Sequence, residues 1–200
     1  MAPSLSGPIS SPRRPSGSRI WIPPARSAGR GGRIGAVTAG LLQHLVGRVR
    51  VYDAVAATVP DGVIRCATLD ELLPASDILC LHVPLTQQTR GLIGRRELLL
   101  LPVGAAVVNV ARGGVLEENV LVELLEEGHI GGAGLDVFET EPLPPTSRLL
   151  SAPNTILTPH CASCSDRSAW RLGTWSIGDA LTWVAERRVV HGALVIEGWR

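Results

Sequence analysis

Short apolar runs alternate with longer amphipathic stretches from about residue 47 of this 200-residue chain onward. Five short runs predict strands: residues 49–53, 77–83, 105–110, 131–137 and 154–159. Of these, residues 77–83 are nearly continuous in apolar residues, as expected of a strand covered on both faces. Three stretches between them carry helix signals such as a Thr cap, repeated leucines or a closing glycine: residues 68–76, 95–101 and 117–130. This alternation predicts an α/β fold with a Rossmann-like, doubly wound parallel sheet.

Residues 1–29 differ from the rest of the chain in being rich in Pro, Ser, Gly and Arg. They contain no acidic residue, because Asp53 is the first one in the sequence, and one short apolar island at residues 20–22. This composition predicts a disordered arm. It also suits an organelle transit peptide, although the prolines oppose the amphipathic helix that such a peptide needs. A misassigned start of the gene is a third interpretation.

The overall composition indicates a globular chain with one core. Hydrophobic residues make up 45% of the sequence, and the formal net charge is only +1, so neither disorder nor a polyanionic partner is indicated for the whole chain. No apolar run is long enough to cross a bilayer, and no signal core follows Met1. We therefore expect a cytoplasmic protein without membrane contact. Nucleic-acid binding is not expected, because the basic arm lacks aromatic interleaving or a known motif.

The four cysteines indicate no metal site. Cys66 and Cys80 lie in or beside predicted elements and are interpreted as reduced, structural residues. Cys161 and Cys164 form the pattern C-x-x-C in "CASC". No second pair completes a zinc site and no thioredoxin-like context surrounds the pattern, so redox or metal chemistry is the less favoured interpretation.

The stretch "RGGRIG" at residues 30–35 resembles the phosphate-binding turn G-x-G-x-x-G, with Arg30 in place of the first glycine. Gly32 and Gly35 remain for close approach to a pyrophosphate and for helix packing. Asp53 follows Gly35 by eighteen residues, close to the separation expected for a carboxylate that binds ribose hydroxyls. A carboxylate there repels a 2′-phosphate and favours NAD over NADP. The alternative is an ordinary aspartate at the end of a strand.

Four further motifs sit at the carboxyl ends of predicted strands, where doubly wound sheets carry their chemistry. They are "HVPLTQQTRGLI" (82–93), "VVNVARGG" (107–114), "GLDVFETEPLP" (134–144) and "LTPHCAS" (157–163). Together they resemble the NAD-binding domain of the D-isomer-specific 2-hydroxyacid dehydrogenases. That family includes D-3-phosphoglycerate, glyoxylate/hydroxypyruvate and formate dehydrogenases and the C-terminal-binding corepressors. The resemblance covers residues 30–165, which we expect to form the NAD-binding domain.

The resemblance implies a role for each motif in interconverting a small 2-hydroxy acid and a 2-keto acid. His160 would be the acid/base, Glu141 would hydrogen-bond it and favour its charged form, and Arg112 would bind the substrate carboxylate. The residues implied to contact NAD are Gly32, Arg33, Ile34, Gly35, Asp53, Val83, Pro84, Val110, Arg112, Asp136 and His160, with Asp136 on the nicotinamide carboxamide. A structural alternative stays open for each residue: Arg112 could bond loop carbonyls, His160 could be a packed histidine and Glu141 could be a surface acid.

Two departures from the family pattern limit these expectations. Pro23 and Pro24 stand where a central strand should enter the glycine turn, so we expect that strand to be missing or replaced. The stretch "RIWI" is a candidate substitute, but it lies too far upstream to enter the turn directly. The flanking residues 1–29 and 166–200 are too short for the family's substrate domain, and the latter predict only a helix and a tail. We expect a homodimer, as is common in the family. A non-catalytic NAD-binding interaction module and an inactive gene fragment are the alternatives.

Overall fold

The computed structural model describes residues 19–21, 33–54, 59–188 and 190. Its seven strands are β1 (Arg19–Trp21), β2 (Arg48–Val51), β3 (Ile64–Arg65), β4 (Ile78–Leu81), β5 (Ala105–Asn109), β6 (Ile130–Leu135) and β7 (Thr155–Leu157). They form one sheet in the order β3-β2-β1-β4-β5-β6-β7, and every neighbouring pair is parallel. The winding reverses between β1 and β4, which confirms the predicted doubly wound sheet and places its switch point there.

Within the described residues, five α-helices connect and follow the strands. They are α1 (Arg33–Leu42), α2 (Leu69–Leu72), α3 (Arg95–Leu100), α4 (Glu118–Glu126) and α5 (Asp166–Glu186). The helix ends follow the sequence signals: the Thr68 hydroxyl accepts the Glu71 N–H at 3.1 Å, and Gly128 closes α4 with a φ of 75°. Such caps satisfy backbone groups that the helix itself leaves unpaired.

The central strand of the sheet comes from the segment predicted to be disordered. In β1, Ile20 pairs with Val49 on one side and with Ile78 on the other. The prediction of a disordered arm is therefore wrong for residues 19–21, which replace the strand that the sequence seemed to lack. Pairing on both edges satisfies backbone groups of β2 and β4 that would otherwise be buried without partners. The remaining residues of the arm, with Arg30 and Gly32, lie outside the described residues.

The core lies on both faces of the sheet in two clusters. The larger cluster joins β4, β5 and β6 to α2, α3 and α4, and its fully buried members include Leu72, Leu79, Leu98, Val107 and Leu121. The smaller cluster consists of Ala39, Val49 and Val51, beneath α1. Along β5, buried positions alternate with partly exposed ones, so one face of the strand is turned to the larger cluster. This packing fixes the strand ends that carry the polar motifs.

Helix α5 lies within residues 166–200, where the sequence predicts a helix, but none of its residues is buried. Trp170 is 68% exposed and Leu172 is 72% exposed. Ser165 caps the helix by accepting the Ser168 N–H at 3.2 Å. Within the described part of the chain, no helix combines the length and the apolar character needed to cross a membrane.

Candidate active site

Three residues singled out by the sequence follow three neighbouring strands. Arg112 comes after β5, Glu141 after β6 and His160 after β7, and these strands are adjacent in the sheet. Because parallel strands end at the same edge, their following loops meet there. The structure thus brings the three side chains to one edge of the sheet.

His160 and Glu141 are in direct contact: the imidazole Nδ1 lies 2.8 Å from Glu141 Oε2. The other carboxylate oxygen, Oε1, accepts the backbone N–H of Phe138 at 3.0 Å. The bond to His160 and then the bond from Phe138 lower the pKa of Glu141, and the charges of His160 and Arg112 act in the same direction. Glu141 is therefore an ionised carboxylate at neutral pH that holds one ring nitrogen of His160.

Asp136 anchors the loop that carries His160. Its carboxylate is buried, with 4% of the residue exposed. It accepts the Thr158 hydroxyl at 2.5 Å and the backbone N–H groups of Cys161 and Ala162, each at 2.9 Å. Burial by itself raises the pKa of Asp136, but these three hydrogen bonds and the charge of His160 outweigh it, so that its pKa is lowered. An ionised Asp136 thus fixes the loop on both sides of His160.

His160 adopts a left-handed backbone conformation with a φ of 52°. Residues other than glycine rarely adopt this conformation, and its strain persists only where surrounding bonds enforce it. The bonds from Asp136 to Cys161 and Ala162, directly after His160, supply that enforcement. Binding of the nicotinamide carboxamide by Asp136 stays a prediction.

Asn109 organises the loop that carries Arg112, a role that the sequence analysis missed. The residue is buried, its Oδ1 accepts the Ala111 N–H at 3.0 Å, and its Nδ2 donates to the Arg112 carbonyl at 3.1 Å. The available signal was a lone polar residue ending an otherwise apolar strand, because a buried amide requires partners. Those partners are the backbone of its own loop.

Gly113 allows the loops after β5 and β6 to touch. A Cβ at this position would lie 1.8 Å from the carbonyl oxygen of Phe138, far inside van der Waals contact. The next residue, Gly114, has a φ of 75°, which favours glycine. The paired glycines of "ARGG" therefore bring Arg112 close to the loop of Glu141.

Arg112 is exposed, and its Nη1 donates to the carbonyl of Ala111 at 2.6 Å. This bond agrees with the structural alternative, in which the arginine binds a loop carbonyl. The guanidinium also contributes to lowering the pKa of Glu141 through its charge. A guanidinium has five N–H donors, so one bond to its own loop leaves donors for an anionic ligand.

Four further predicted cofactor contacts lie at the start of α1 and after the end of β2: Arg33, Ile34, Gly35 and Asp53. Arg33 is the first residue of α1, Ile34 is 71% exposed and Gly35 is buried. Asp53 follows β2 and is 8% exposed. A helix N-terminus after the central strand, with a buried glycine and a carboxylate ending the next strand, fits a dinucleotide.

The remaining predicted contacts follow β4 and β5, on the other side of the switch point from α1 and β2. Val83 and Pro84 follow β4 and are half-buried, whereas Val110 follows β5 and is 37% exposed. His82, interpreted from the sequence as structural, is buried, and burial lowers its pKa. It is thus suited to packing as a neutral imidazole.

A cavity of about 500 Å³ opens beside the His160–Glu141 pair. Its lining is Phe138, Glu141, Pro142, Leu143, Leu157, Thr158, Pro159 and His160. The lining is mostly apolar, with a few polar groups, as is usual for small-molecule sites. No group of three or more His, Cys, Asp or Glu side chains suited to a metal ion occurs in the described part of the chain.

Comparison with known proteins identifies a matching family and a similar enzyme. Residues 30–162 match the model of the D-isomer specific 2-hydroxyacid dehydrogenase NAD-binding domain. The glyoxylate reductase of Korarchaeum cryptofilum is 40% identical over 143 residues, which are 70% of this chain and 43% of that protein. The chain thus spans less than half the length of this relative.

Two solved structures show the same fold. A D-isomer specific 2-hydroxyacid dehydrogenase from Xanthobacter autotrophicus, in complex with NADPH and MES, has a TM-score of 0.73 and 33% identity, covering 88% of this chain and 70% of its own. The D-lactate dehydrogenase of Lactobacillus jensenii with NAD+ has a TM-score of 0.77 and 25% identity, covering 90% of this chain and 56% of its own.

Proposed function

The chain belongs to the D-isomer specific 2-hydroxyacid dehydrogenases, and from this premise we propose that it interconverts a small 2-hydroxy acid and a 2-keto acid with NAD. The observation that carries the proposal is the contact between His160 Nδ1 and Glu141 Oε2 at 2.8 Å, with Arg112 on the neighbouring loop. An acid/base, its orienting carboxylate and a cation are what this reaction requires of the protein.

Each of the three residues has a distinct role in the proposal. Bound NAD supplies or accepts the hydride. His160, held at Nδ1 by Glu141, donates a proton from Nε2 to the carbonyl oxygen of the keto acid and takes it back in the reverse reaction. Arg112 binds the substrate carboxylate, because a guanidinium pairs with a carboxylate through two parallel N–H bonds. Glu141 stabilises the imidazolium from which the proton leaves.

Asp53 supports NAD rather than NADP as the cofactor. A buried carboxylate at the end of β2 accepts the two ribose hydroxyls and repels a 2′-phosphate. Relatives of this fold were solved with NADPH and with NAD+, so the fold alone does not select the cofactor. Individual residues of this chain must select between NAD and NADP. A homodimer and a cytoplasmic location complete the proposal.

The exposed apolar residues of α5 favour a second candidate function, a non-catalytic NAD-binding interaction module. Leu181 is 66% exposed and Val184 is 74% exposed, and exposed apolar surface of this kind often marks a protein interface. This candidate shares the NAD site but needs no acid/base. It predicts that replacing His160 leaves the affinity for NAD unchanged.

Turnover of glyoxylate with NADH separates the two candidates, glyoxylate being the substrate named for a curated relative. NADH oxidation is followed by absorbance for the chain, for His160→Gln and for His44→Gln, an exposed histidine far from the site in sequence. The proposal predicts turnover that falls about 100-fold or more in His160→Gln and is unchanged in His44→Gln. NADH binding without turnover of glyoxylate, pyruvate or hydroxypyruvate would favour the interaction module.

A further inference from the structure

Cys161 and Cys164 flank a turn directly before α5. Both side chains are exposed and reduced, and the backbone N–H of Cys164 donates to the carbonyl of Cys161 at 2.8 Å. A hydrogen bond from residue i+3 to residue i closes a β-turn, which brings the two Cα atoms within about 7 Å. Disulfides join cysteines whose Cα atoms are about 4.4–6.8 Å apart. The turn therefore holds the two cysteines at a separation that a disulfide can bridge.

The backbone of this turn is held by bonds that involve neither thiol. Asp136 accepts the N–H groups of Cys161 and Ala162, each at 2.9 Å, on the side facing His160. On the other side, Ser165 caps α5 by accepting the Ser168 N–H at 3.2 Å. Oxidising the thiols thus leaves these hydrogen bonds in place, and the turn stays anchored at both ends.

The other two cysteines differ in every respect that bears on reactivity. Cys66 is buried, and burial raises the pKa of its thiol. Burial also raises the pKa of Cys80 to about 12. Because the thiolate is the nucleophile in thiol–disulfide exchange, the raised pKa values make these two thiols less reactive than an ordinary cysteine at neutral pH. They serve as an internal control for the exposed pair.

We propose that Cys161 and Cys164 form a reversible dithiol–disulfide site next to His160, with a low-molecular-weight disulfide as its oxidant. One thiolate attacks a sulfur of the oxidant, forms a mixed disulfide and releases one thiol. The second cysteine thiolate then attacks the protein sulfur of that mixed disulfide, forms the Cys161–Cys164 bond and releases the second thiol. Two electrons and two protons pass to the oxidant, which becomes two thiols. The proposal does not rest on the proposed dehydrogenase activity.

Trypsin digestion separates the two cysteine pairs into different peptides. Cleavage after Arg148 and Arg167 places Cys161 and Cys164 alone in peptide 149–167, and cleavage after Arg65 and Arg90 places Cys66 and Cys80 in peptide 66–90. The folded chain is equilibrated with mixtures of oxidised and reduced glutathione, quenched in acid, alkylated and analysed by mass spectrometry.

The expected result is a monomer whose peptide 149–167 loses two hydrogens and escapes alkylation as the oxidised fraction rises. Dithiothreitol should restore both thiols, and peptide 66–90 should stay fully alkylated. In Cys164→Ser, the second step cannot occur, so Cys161 should retain glutathione as a mixed disulfide. Both cysteines of peptide 149–167 remaining alkylated at every ratio would overturn the proposal, as would disulfides that form only between chains on a non-reducing gel.

Discussion

His160 and Glu141 are nineteen residues apart in the sequence, yet the imidazole Nδ1 and the carboxylate Oε2 lie 2.8 Å apart. The two residues follow different strands, β7 and β6, and their contact depends on the pairing of those strands. The fold thus positions the proposed acid/base and its orienting group through contacts within the chain itself. Arrangement in advance of this kind is what efficient proton transfer requires.

Replacing Glu141 should impair proton transfer without unfolding the chain. Glu141→Gln removes the charge that favours the imidazolium, so kcat should fall about 100-fold. Because the pKa of Glu141 is lowered, the wild-type carboxylate stays charged as pH falls below its ordinary value, and its support for His160 is lost only below the lowered pKa. Steady-state kinetics at neutral pH should show the lower kcat of Glu141→Gln, and the wild-type rate should show no loss of this support between pH 5 and pH 9, because the pKa of Glu141 is lowered from 4.5. Glu139→Gln, two residues away on the same loop, is the matched control and should retain the wild-type profile.

Replacing Asp136 should loosen the loop of His160 and change the acid stability of the chain. Asp136→Asn should lower the free energy of unfolding at pH 7 by about 1–3 kcal/mol, because buried N–H groups lose a charged acceptor. The pKa of Asp136 is lowered from its ordinary value of 3.8. Its stabilisation is therefore full above that value and is lost as pH falls through the lowered folded pKa. Denaturant unfolding at several pH values should show a shallower acid limb for the variant; parallel curves would contradict this account of the loop.

Adding one methyl group at Gly113 should separate the loops of Arg112 and Glu141. The new Cβ would lie 1.8 Å from the Phe138 carbonyl oxygen, so Gly113→Ala should cost at least about 2 kcal/mol of stability. Gly173→Ala is the control, because a Cβ there meets no atom within 4 Å and alanine favours the helix. Thermal unfolding compares the two. Equal melting temperatures would mean that the loops do not meet at Gly113.

Breaking the central strand should destabilise the whole sheet. Ile20 lies in β1 between β2 and β4, so Ile20→Pro removes a backbone donor from the middle of the sheet and should cost about 2–4 kcal/mol. Ile20→Val keeps both the donor and the strand preference and serves as the control. If residues 19–21 belonged to a disordered arm, the two variants would have the same free energy of unfolding by urea.

The sequence predicted the sheet well wherever a strand was long and apolar. β4 and β5 appeared as continuous hydrophobic runs, and the Thr68 cap marked the start of α2. The order of Arg112, Glu141 and His160 at strand ends followed from the resemblance of four motifs. Parallel pairing then brings those ends together, which is why the site could be assembled from the sequence.

The sequence failed where tertiary contacts decide the structure. β1 has only three residues, and its one local signal, the short apolar island at residues 20–22, lies within a composition typical of disorder. Its pairing with β2 and β4 is a tertiary contact that this signal does not specify. β3, with two residues, left none either. Asn109 and Gly113 carry no charge that marks a functional residue, and their importance lies in backbone contacts that only the folded loops reveal.

The central claim, that this chain holds NAD at the switch point of its sheet, is tested most directly by titration with NADH. Cofactor fluorescence is followed for the chain, for Asp53→Ala and for Asp61→Ala, an exposed aspartate in the turn before β3. We predict saturable binding that weakens about tenfold or more in Asp53→Ala, because the ribose hydroxyls lose a charged acceptor, and that is unchanged in Asp61→Ala. A folded chain that shows no saturable binding, or binding indifferent to Asp53, would contradict the claim.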